Sequence, residues 1–362
     1  MKFVDEFRDP ELAKRLIDHI CSRSTRPIRL MEFCGTHTVA IFKHGIRQLL
    51  PETIEMLSGP GCPICVTANT DLDRAIALAR LPGVIVTSFG DMLRVPGSHS
   101  SLQVAKAEDG DVRIVYSVAD ALAIARENPD KSVVFIGIGF ETTAPIIAAS
   151  VVQAEQEGIQ NYYVLSLAKV CPPIMKAVLD SGEIKIDGIL CPGHVSAIIG
   201  ARPYGFIPRD YGVACVVSGF EPLDILHGVS RLVEQVESGQ PKVEIAYRRV
   251  VSLDGNERAL AMMSEVFEPG PANWRGIGTV PGSGLRLRDR YRRFDAEAFS
   301  IDAGEPFEPP GCLCGDILRG VKTPPDCKLF GVTCTTEHPV GPCMVSSEGT
   351  CSAYYRYGGE IG

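Results

Sequence analysis

Residues 28–57 read IRLMEFCGTHTVAIFKHGIRQLLPETIEML, and this stretch sets the pattern for most of the chain. The apolar run at residues 28–33 predicts a buried strand, and residues 39–50 have apolar side chains at helical spacing. Residues 53–57 predict a second strand. A strand, a helix and a strand in this order are typical of a crossover unit in a parallel sheet.

The same alternation continues as far as residue 217. Further strands are predicted at residues 84–87, 112–116, 132–137, 162–165, 188–190 and 213–217. Further helices are predicted at residues 71–80, 118–127, 144–157 and 172–179. The predicted fold class is therefore α/β with parallel sheets.

Three pairs of similar segments recur in the same order along this region. They are residues 33–38 with 139–143, residues 59–63 with 191–195, and residues 83–91 with 212–221. A duplication would give two similar α/β domains, residues 24–130 and 131–243; the alternative is chance recurrence of common turn residues. Residues 244–362 are less regular and predict a smaller third domain, on which residues 1–23, with an amphipathic helix at 11–21, are expected to pack.

Composition narrows the function. A net charge of −8 and a pI near 5.5 argue against a nucleic-acid partner, since phosphate binding needs a basic face. Neither a signal peptide nor an apolar run of membrane-spanning length is found, so a cytoplasmic protein without membrane attachment is expected. Thiols stay reduced in the cytoplasm, so the thirteen cysteines are expected to be metal ligands, reactive thiols or buried fillers.

The C-terminal segment is dense in cysteine. Its cysteines are Cys312, Cys314, Cys327, Cys334, Cys343 and Cys351. Four thiolates suit zinc or an iron–sulfur cluster, and the wide, uneven spacings favour a 4Fe–4S cluster over zinc, which usually has paired short spacings. Six unrelated thiols are the alternative. Spacing does not separate Cys312 from Cys314 as a ligand.

Cys34 follows a predicted strand and precedes a predicted helix. Ligands bind at the carboxyl ends of parallel strands, and a helix N-terminus favours the thiolate by lowering its pKa. His37, three residues on, is placed to assist proton transfer. The alternative is that Thr36 or Thr38 caps the helix and Cys34 only fills space.

Cys62 and Cys65 form a C-x2-C motif in a glycine- and proline-rich loop before a helix. Such pairs are redox dithiols or metal ligands, and half of a zinc site is the alternative. Glu141, Thr142 and Thr143 follow another strand, where an ordinary helix cap is the alternative.

His194 lies in the corresponding loop of the second predicted domain. If the duplication holds, the loops carrying Cys34, the C-x2-C pair, Glu141 and His194 face one cleft. Cys21, Cys171 and Cys215 have apolar neighbours, which is typical of core positions.

Five motifs together resemble one family, the hydrogenase maturation factors HypD. They are Cys34-Gly-Thr-His-Thr38, Gly59-Pro-Gly-Cys-Pro-Ile-Cys65, Gly139-Phe-Glu-Thr-Thr143, Pro192-Gly-His-Val-Ser196 and the C-terminal cysteines with residues 345–349. The resemblance spans almost the whole chain in the family's order. Ile64 stands where valine is usual in the family, a conservative difference.

The resemblance implies a scaffold with redox activity rather than a conventional turnover enzyme. With the small chaperone HypC, members assemble an Fe(CN)2CO unit, using cyanide that HypE, charged through HypF, delivers; the unit then passes to the hydrogenase large subunit. Cys34 would be one thiolate ligand of that mononuclear iron, and a HypC cysteine the other. By the family's pattern a 4Fe–4S cluster is held by Cys312, Cys327, Cys334 and Cys351.

The resemblance also suggests that electrons pass from the cluster to Cys62 and Cys65, which would alternate between dithiol and disulfide. His37 and His194 would hydrogen-bond or transfer protons near the iron. The rival interpretations are a thiol–disulfide oxidoreductase acting on a protein substrate, and a zinc-stabilised interaction protein.

Overall fold

The structure is a computed structural model that describes residues 5–359 of the chain. The strands are β1 Ile28–Glu32, β2 Ile54–Ser58, β3 Val84–Ser88, β4 Asp111–Ile114, β5 Ser132–Gly139, β6 Tyr162–Ala168, β7 Gly188–Pro192, β8 Ala214–Ser218, β9 Val243–Ile245, β10 Phe267–Trp274 and β11 Gly278–Leu287. The helices are α1 Pro10–Arg23, α2 Gly35–Lys43, α3 Ile46–Leu49, α4 Pro63–Val66, α5 Asn69–Ala79, α6 Leu102–Ala107, α7 Val118–Glu127, α8 Ala144–Gln156, α9 Cys171–Ser181, α10 Gly193–Ile199, α11 Phe206–Tyr211, α12 Pro222–Ser238, α13 Glu257–Val266, α14 Cys314–Leu318, α15 Pro342–Val345 and α16 Thr350–Tyr357. Across residues 5–359 these helices are too short or too polar to cross a lipid bilayer.

The strands up to β9 form two parallel sheets, as the alternation of strands and helices predicts. One sheet has the order β2-β1-β7-β8-β9 and the other the order β4-β3-β5-β6. Strands such as β3 and β8 are buried at every position. Parallel strands are covered by helices on both faces, which is why they read as continuous apolar runs.

Both sheets place their strands in the same relative order: second, first, third, fourth. The two α/β units are therefore similar, but they are not consecutive in sequence. The chain from β3 to β6 is inserted between β2 and β7, so the predicted boundary between residues 130 and 131 does not separate the units. The internal repeat misled because it compared residues 33–38, after the first strand of one sheet, with residues 139–143, after the third strand of the other.

Beyond β9 the chain forms α13 and an antiparallel hairpin of β10 and β11. This hairpin contributes Leu285 and Leu287 to the core beside α8. Residues 306–358 have short helices and little regular structure, whereas residues 257–287, which belong to the region predicted to be irregular, form α13 and the hairpin.

The N-terminal helix lies elsewhere than predicted. Helix α1 packs mainly against α12, and Ile20 joins the apolar core between α12 and the first sheet. The amphipathic pattern predicted this helix but not its partner, because an apolar stripe does not specify which surface it covers. The expectation that α1 packs on the C-terminal region is corrected; residues 1–4 lie outside the described residues.

Candidate functional site

The candidate site lies where the strand order of the first sheet reverses. Strand β1 pairs with β2 on one side and with β7 on the other. In open parallel sheets such a reversal leaves a crevice at the carboxyl ends of the strands, where ligands bind. Cys34 follows β1 at the start of α2, and His194 follows β7 in the first turn of α10. These two residues therefore share one edge of the sheet.

The backbone around Cys34 is closely held. The buried carboxylate of Glu32 accepts a hydrogen bond from the Cys34 N–H at 2.9 Å and another from the Thr38 hydroxyl. A Cβ added to Gly61 would lie 2.3 Å from the Cys34 nitrogen, so only glycine allows this approach. Cys34 itself is only 8% exposed. The thiol is fixed in position and nearly shielded from solvent.

The environment of Cys34 favours the protonated thiol. Burial, with smaller contributions from the charges of Glu348 and Glu32, raises the pKa of Cys34 to about 12. The backbone N–H groups of His37 and Thr36 act in the opposite direction. The prediction that the helix N-terminus lowers this pKa is therefore wrong in its net sign, because the loss of water outweighs the N–H groups. A bound cation would supply the missing stabilisation of a thiolate.

Two histidines meet at Phe220. Their rings stack on the Phe220 ring, with centroid distances of 4.6 Å for His37 and 3.9 Å for His194. Nε2 of His37 lies 2.8 Å from the Gly219 carbonyl oxygen, so Nε2 carries the proton and donates it. Nδ1 of His37 is buried and has no hydrogen-bond partner in residues 5–359. Burial lowers the pKa of His37 to about 4, which leaves a neutral ring with a free lone pair on Nδ1.

Cys62 and Cys65 form a disulfide at the start of α4. Cys62 is 3% exposed and Cys65 is fully buried. Helix α4 packs against α14 and α15 of the cysteine-rich segment, while the adjacent Gly61 touches the Cys34 backbone. The C-x2-C pair therefore lies between the Cys34 loop and the C-terminal cysteines.

Glu141 follows β5 and points into the protein interior. Its Oε1 accepts a hydrogen bond from the Cys171 N–H at 2.8 Å, whereas Oε2 has no partner in the described part of the chain. Burial raises the pKa of Glu141 to about 7. Burial and the charges of Glu141 and Cys34 also raise the pKa of the Cys171 thiol. The charge of Cys34 thus acts on Cys171, the residue whose N–H binds Glu141.

Thr142 and Thr143 lie at the outer end of the Glu141 loop. Thr142 is exposed, and Thr143 is half-buried at the N-cap position of α8, where its hydroxyl accepts no hydrogen bond from a helix N–H. A Cβ added to Gly139 would lie 2.5 Å from the Thr143 Cβ. The Thr143 side chain therefore packs so closely on residue 139 that only glycine fits there. Both residues lie at the start of α8, but no contact links them to Cys34 in the described residues.

Sequence reasoning missed two residues of the site. Glu348 accepts a hydrogen bond from the Thr36 hydroxyl at 2.6 Å, and its backbone abuts Gly35, so the cysteine-rich segment reaches the loop of Cys34. Glu348 lies in residues 345–349, one of the motifs that resemble the family, and the resemblance implies no role for it. Phe220 follows the carboxyl end of β8, a position that could have marked it.

The C-terminal cysteines surround one narrow internal space of about 10 Å³. Its cysteine lining consists of Cys312, Cys314, Cys327, Cys334 and Cys351. Apolar side chains, among them Leu313, Ile317 and Phe330, close the rest of the space. Cys343 is fully buried and contacts Cys314 and Cys351 from outside this lining.

This donor set fits a cluster held by four thiolates. Soft sulfur donors in an apolar surrounding are what iron–sulfur clusters require, and the Val340 N–H lies 3.4 Å from Cys334 Sγ, where it can donate to a bound sulfur. The side chains of residues 5–359 do not converge as a preformed ion site of three or more His, Cys, Asp or Glu ligands. Cys312 and Cys314 both face Gly341, so geometry leaves the choice between them open, as spacing did.

Comparison with known proteins gives a consistent result. The model of the HypD family, described as "Hydrogenase formation hypA family", matches residues 11–358. The hydrogenase maturation factor HypD of Cupriavidus necator is 47% identical over 369 residues, covering 99% of this chain and 97% of that protein. HypD of Escherichia coli is 46% identical, covering 99% and 98%. A putative hydrogenase expression/formation protein of Methanocaldococcus jannaschii is 44% identical, covering 96% and 98%.

Proposed function

Because the chain belongs to the HypD family of hydrogenase maturation factors, we propose that it is the scaffold on which the Fe(CN)2CO unit of nickel–iron hydrogenases is assembled. A HypC-family chaperone would share the iron, HypE charged by HypF would deliver cyanide, and the hydrogenase large subunit would receive the product. The observation that carries this proposal is Cys34, a shielded thiol at the strand-order reversal with two histidines nearby.

Cys34 is proposed to bind the iron, which is the cargo of the reaction. Iron carrying cyanide and carbonyl is electron-rich, and a soft thiolate suits it. Because burial keeps Cys34 protonated, the thiol would lose its proton only as the metal binds. Nδ1 of His37, which has no hydrogen-bond partner in residues 5–359, would accept a hydrogen bond near the iron rather than keep that proton, because burial lowers the pKa of His37 to about 4. His194, which is more exposed, would act at the mouth of the cleft.

Cys62 and Cys65 are proposed to alternate between disulfide and dithiol. Reduction breaks one S–S bond and takes up two electrons and two protons. A 4Fe–4S cluster bound by Cys312, Cys327, Cys334 and Cys351 would supply single electrons. Glu141, whose pKa burial raises to about 7, is suited to exchange a proton near neutral pH, with Thr142 and Thr143 positioning its loop.

Infrared spectroscopy tests the scaffold proposal. The protein, produced with a HypC-family chaperone and purified without oxygen, is expected to show cyanide and carbonyl stretching bands. Cys34→Ala is expected to abolish these bands, since it removes the proposed ligand. Cys21→Ala, at an exposed thiol of α1, is the control and is expected to retain them. Bands that persist in Cys34→Ala, or a complex without iron beyond the cluster, would contradict the proposal.

The rival function is that of a thiol–disulfide oxidoreductase, and the Cys62–Cys65 disulfide is the observation that favours it. Against it, both sulfurs are buried, so a protein disulfide could not reach them without movement of α4. Cys62→Ser and Cys65→Ser variants are expected to stop assembly of the cyanide-bearing unit. Reduction of a protein disulfide by the wild type, with assembly intact in both variants, would favour the rival.

A further inference from the structure

Arg275 is a buried cation that the proposed function does not use. It directly follows β10, and its side chain is only 3% exposed. Its Nε donates a hydrogen bond to the Thr67 carbonyl oxygen at 3.1 Å, and another N–H of the guanidinium donates to Oδ1 of Asn69. A guanidinium does not lose its proton in a folded protein. Arg275 therefore keeps a permanent positive charge inside the molecule.

The neighbours of Arg275 place it between the C-x2-C helix and the cysteine-rich segment. Its backbone N–H donates to the carbonyl oxygen of Val66, the last residue of α4, at 2.9 Å. On the other side, Gly276 lies against Gly315, the residue after Cys314: a Cβ added to Gly276 would be 2.1 Å from the Gly315 Cα. Residues 275–276 thus touch α4 on one side and α14 on the other.

The charge of Arg275 acts on thiols of the cysteine-rich segment. A hydrogen bond with Cys314 and burial raise the pKa of Cys312, and the charge of Arg275 opposes that rise. Contacts with Cys314 and Cys351 lower the pKa of Cys343, and the charge of Arg275 adds to that effect. In both cases the guanidinium favours negative charge on sulfur, as its position behind the cysteine-lined space implies.

The counter-charge of Arg275 is poorly placed to cancel this effect. Oε2 of Glu308 accepts a hydrogen bond from the guanidinium at 2.6 Å, but the side chain of Glu308 is 57% exposed. Water screens an exposed carboxylate more than a buried guanidinium. The other two partners, the Thr67 carbonyl group and the Asn69 amide, are neutral. A net positive potential therefore remains next to the cysteine-lined space.

We propose that Arg275 is a positioning residue for the electron that a 4Fe–4S cluster accepts in this space, and that its charge raises the reduction potential of the cluster. One-electron reduction makes the cluster and its four thiolates more negative by one charge, and it forms or breaks no bond. A buried cation nearby stabilises that reduced state, and local charge is one of the factors that set the potential of such clusters. This inference rests on the proposed function, because it presupposes the cluster.

A redox titration of the intact protein tests the charge of Arg275. Dithionite is added without oxygen at controlled potential, and absorbance and electron paramagnetic resonance report the reduced fraction of the cluster. Arg275→Met is expected to lower the potential, so that the ratio of reduced to oxidised cluster at a fixed applied potential falls about tenfold, which is about 59 mV for a one-electron couple. Arg275→Lys retains the charge but not the planar fork of donors, and it is expected to keep the potential near that of the wild type. If Arg275 only holds α4 in place, both variants would lower the melting temperature and leave the potential unmoved, which would overturn the proposal.

Glu308→Gln tests the same charge without altering a buried residue. It removes the counter-charge of Arg275, so the potential is expected to rise, and the ratio of reduced to oxidised cluster to increase about two- to threefold. Glu305→Gln, on the same exposed segment, is the matched control and is expected to change this ratio less. A lowered potential in Glu308→Gln, or equal effects of the two glutamine variants, would overturn the proposal even if Arg275→Met does not fold. A wild-type protein without iron–sulfur absorbance would overturn the cluster assignment as well, whereas a normal cluster with an unmoved potential overturns this proposal alone.

Discussion

Glu32 and Glu141 are carboxyl groups held away from water. Burial raises the pKa of Glu32 to about 8 and that of Glu141 to about 7. Their surroundings differ: Glu32 accepts hydrogen bonds from Cys34 and Thr38, whereas Oε2 of Glu141 has no partner in residues 5–359. A buried polar atom without a partner destabilises the fold. The loss of folding stability caused by burying a carboxyl group should therefore be measurable at Glu141.

Glu141→Gln tests this cost through pH. The folded-state pKa of about 7 lies above the ordinary value of 4.5, so the folded protein holds an extra proton between these values. The stability that the neutral carboxyl group contributes to the fold is present at low pH. It is lost as the pH rises through about 7, and the total loss is about 3 kcal/mol. Glutamine cannot ionise and can still accept a hydrogen bond from the Cys171 N–H. The free energy of unfolding of the variant, relative to that of the wild type, is therefore expected to rise by about 2 to 3 kcal/mol from pH 5 to pH 8.

Urea unfolding of both proteins at the two pH values measures this gain. Glu55→Gln, at an exposed carboxyl group, serves as control and should change little relative to the wild type. If the difference between Glu141→Gln and the wild type stays constant from pH 5 to pH 8, the carboxyl group of Glu141 does not titrate in this range and its proposed proton exchange fails.

At the scale of elements, the loop between β2 and α4 determines where Cys34 can lie. Gly61 donates from its N–H to the Gly59 carbonyl oxygen and accepts from the Gly35 N–H, so it ties this loop to the start of α2. The contact is backbone against backbone: a Cβ at Gly61 would be 2.3 Å from the nitrogen and 2.5 Å from the Cα of Cys34. Neither side has a flexible side chain that could move away.

Gly61→Ala is therefore expected to push the two loops apart. We expect a loss of roughly 3 kcal/mol in stability, at the upper end for overpacking, and a loss of iron binding at Cys34. Differential scanning calorimetry and iron analysis measure the two effects. Gly205→Ala is the matched control, because a Cβ there meets nothing within 4 Å. If Gly61→Ala melts and binds iron like Gly205→Ala, the close approach does not position Cys34.

The elements themselves were largely predictable from the sequence. The strand predicted at residues 28–33 is Ile28–Glu32, and the one at 132–137 is Ser132–Gly139, because buried parallel strands give continuous apolar runs. The hairpin of β10 and β11 was missed, since glycine and proline within it hide any alternation. The pattern of residues 242–252 also predicts a strand, but only Val243–Ile245 forms one.

Within the site, the place of a residue after a strand could be predicted from the sequence, whereas its role stays a prediction. Cys34 and His194 follow parallel strands, and such ends meet at one edge of a sheet. The net effect on the Cys34 pKa was not predictable, because both the burial of the thiol and the charge of Glu348 come from parts of the chain that are distant in sequence. The free lone pair of His37 likewise depends on the Gly219 carbonyl, a contact that no local pattern contains.

At the scale of the whole molecule, the two sheets show why the domain boundaries could not be read from the sequence. Strand β1 lies between β2, its neighbour in the chain, and β7, which follows the entire second sheet. A parallel strand carries no mark of its partner, since any apolar run can pair with any other. The insertion thus becomes visible only from pairings such as Leu30 with Gly188.

This topology predicts which parts of the chain lose stability together. Leu190 in β7 is fully buried beside Leu30 in the core of the first sheet, and Leu190→Ala should cost about 2 to 5 kcal/mol. Because strands open cooperatively with their hydrogen-bonded neighbours, hydrogen exchange should quicken in β1, β2 and β8 and change less in β3 to β6. Ile136→Ala, at a buried position of β5, should give the reverse pattern. Exchange measured by mass spectrometry on the intact protein distinguishes the two arrangements: if Leu190→Ala quickens exchange in β3 and β4 as much as in β1 and β2, the sheets are not separate cooperative units.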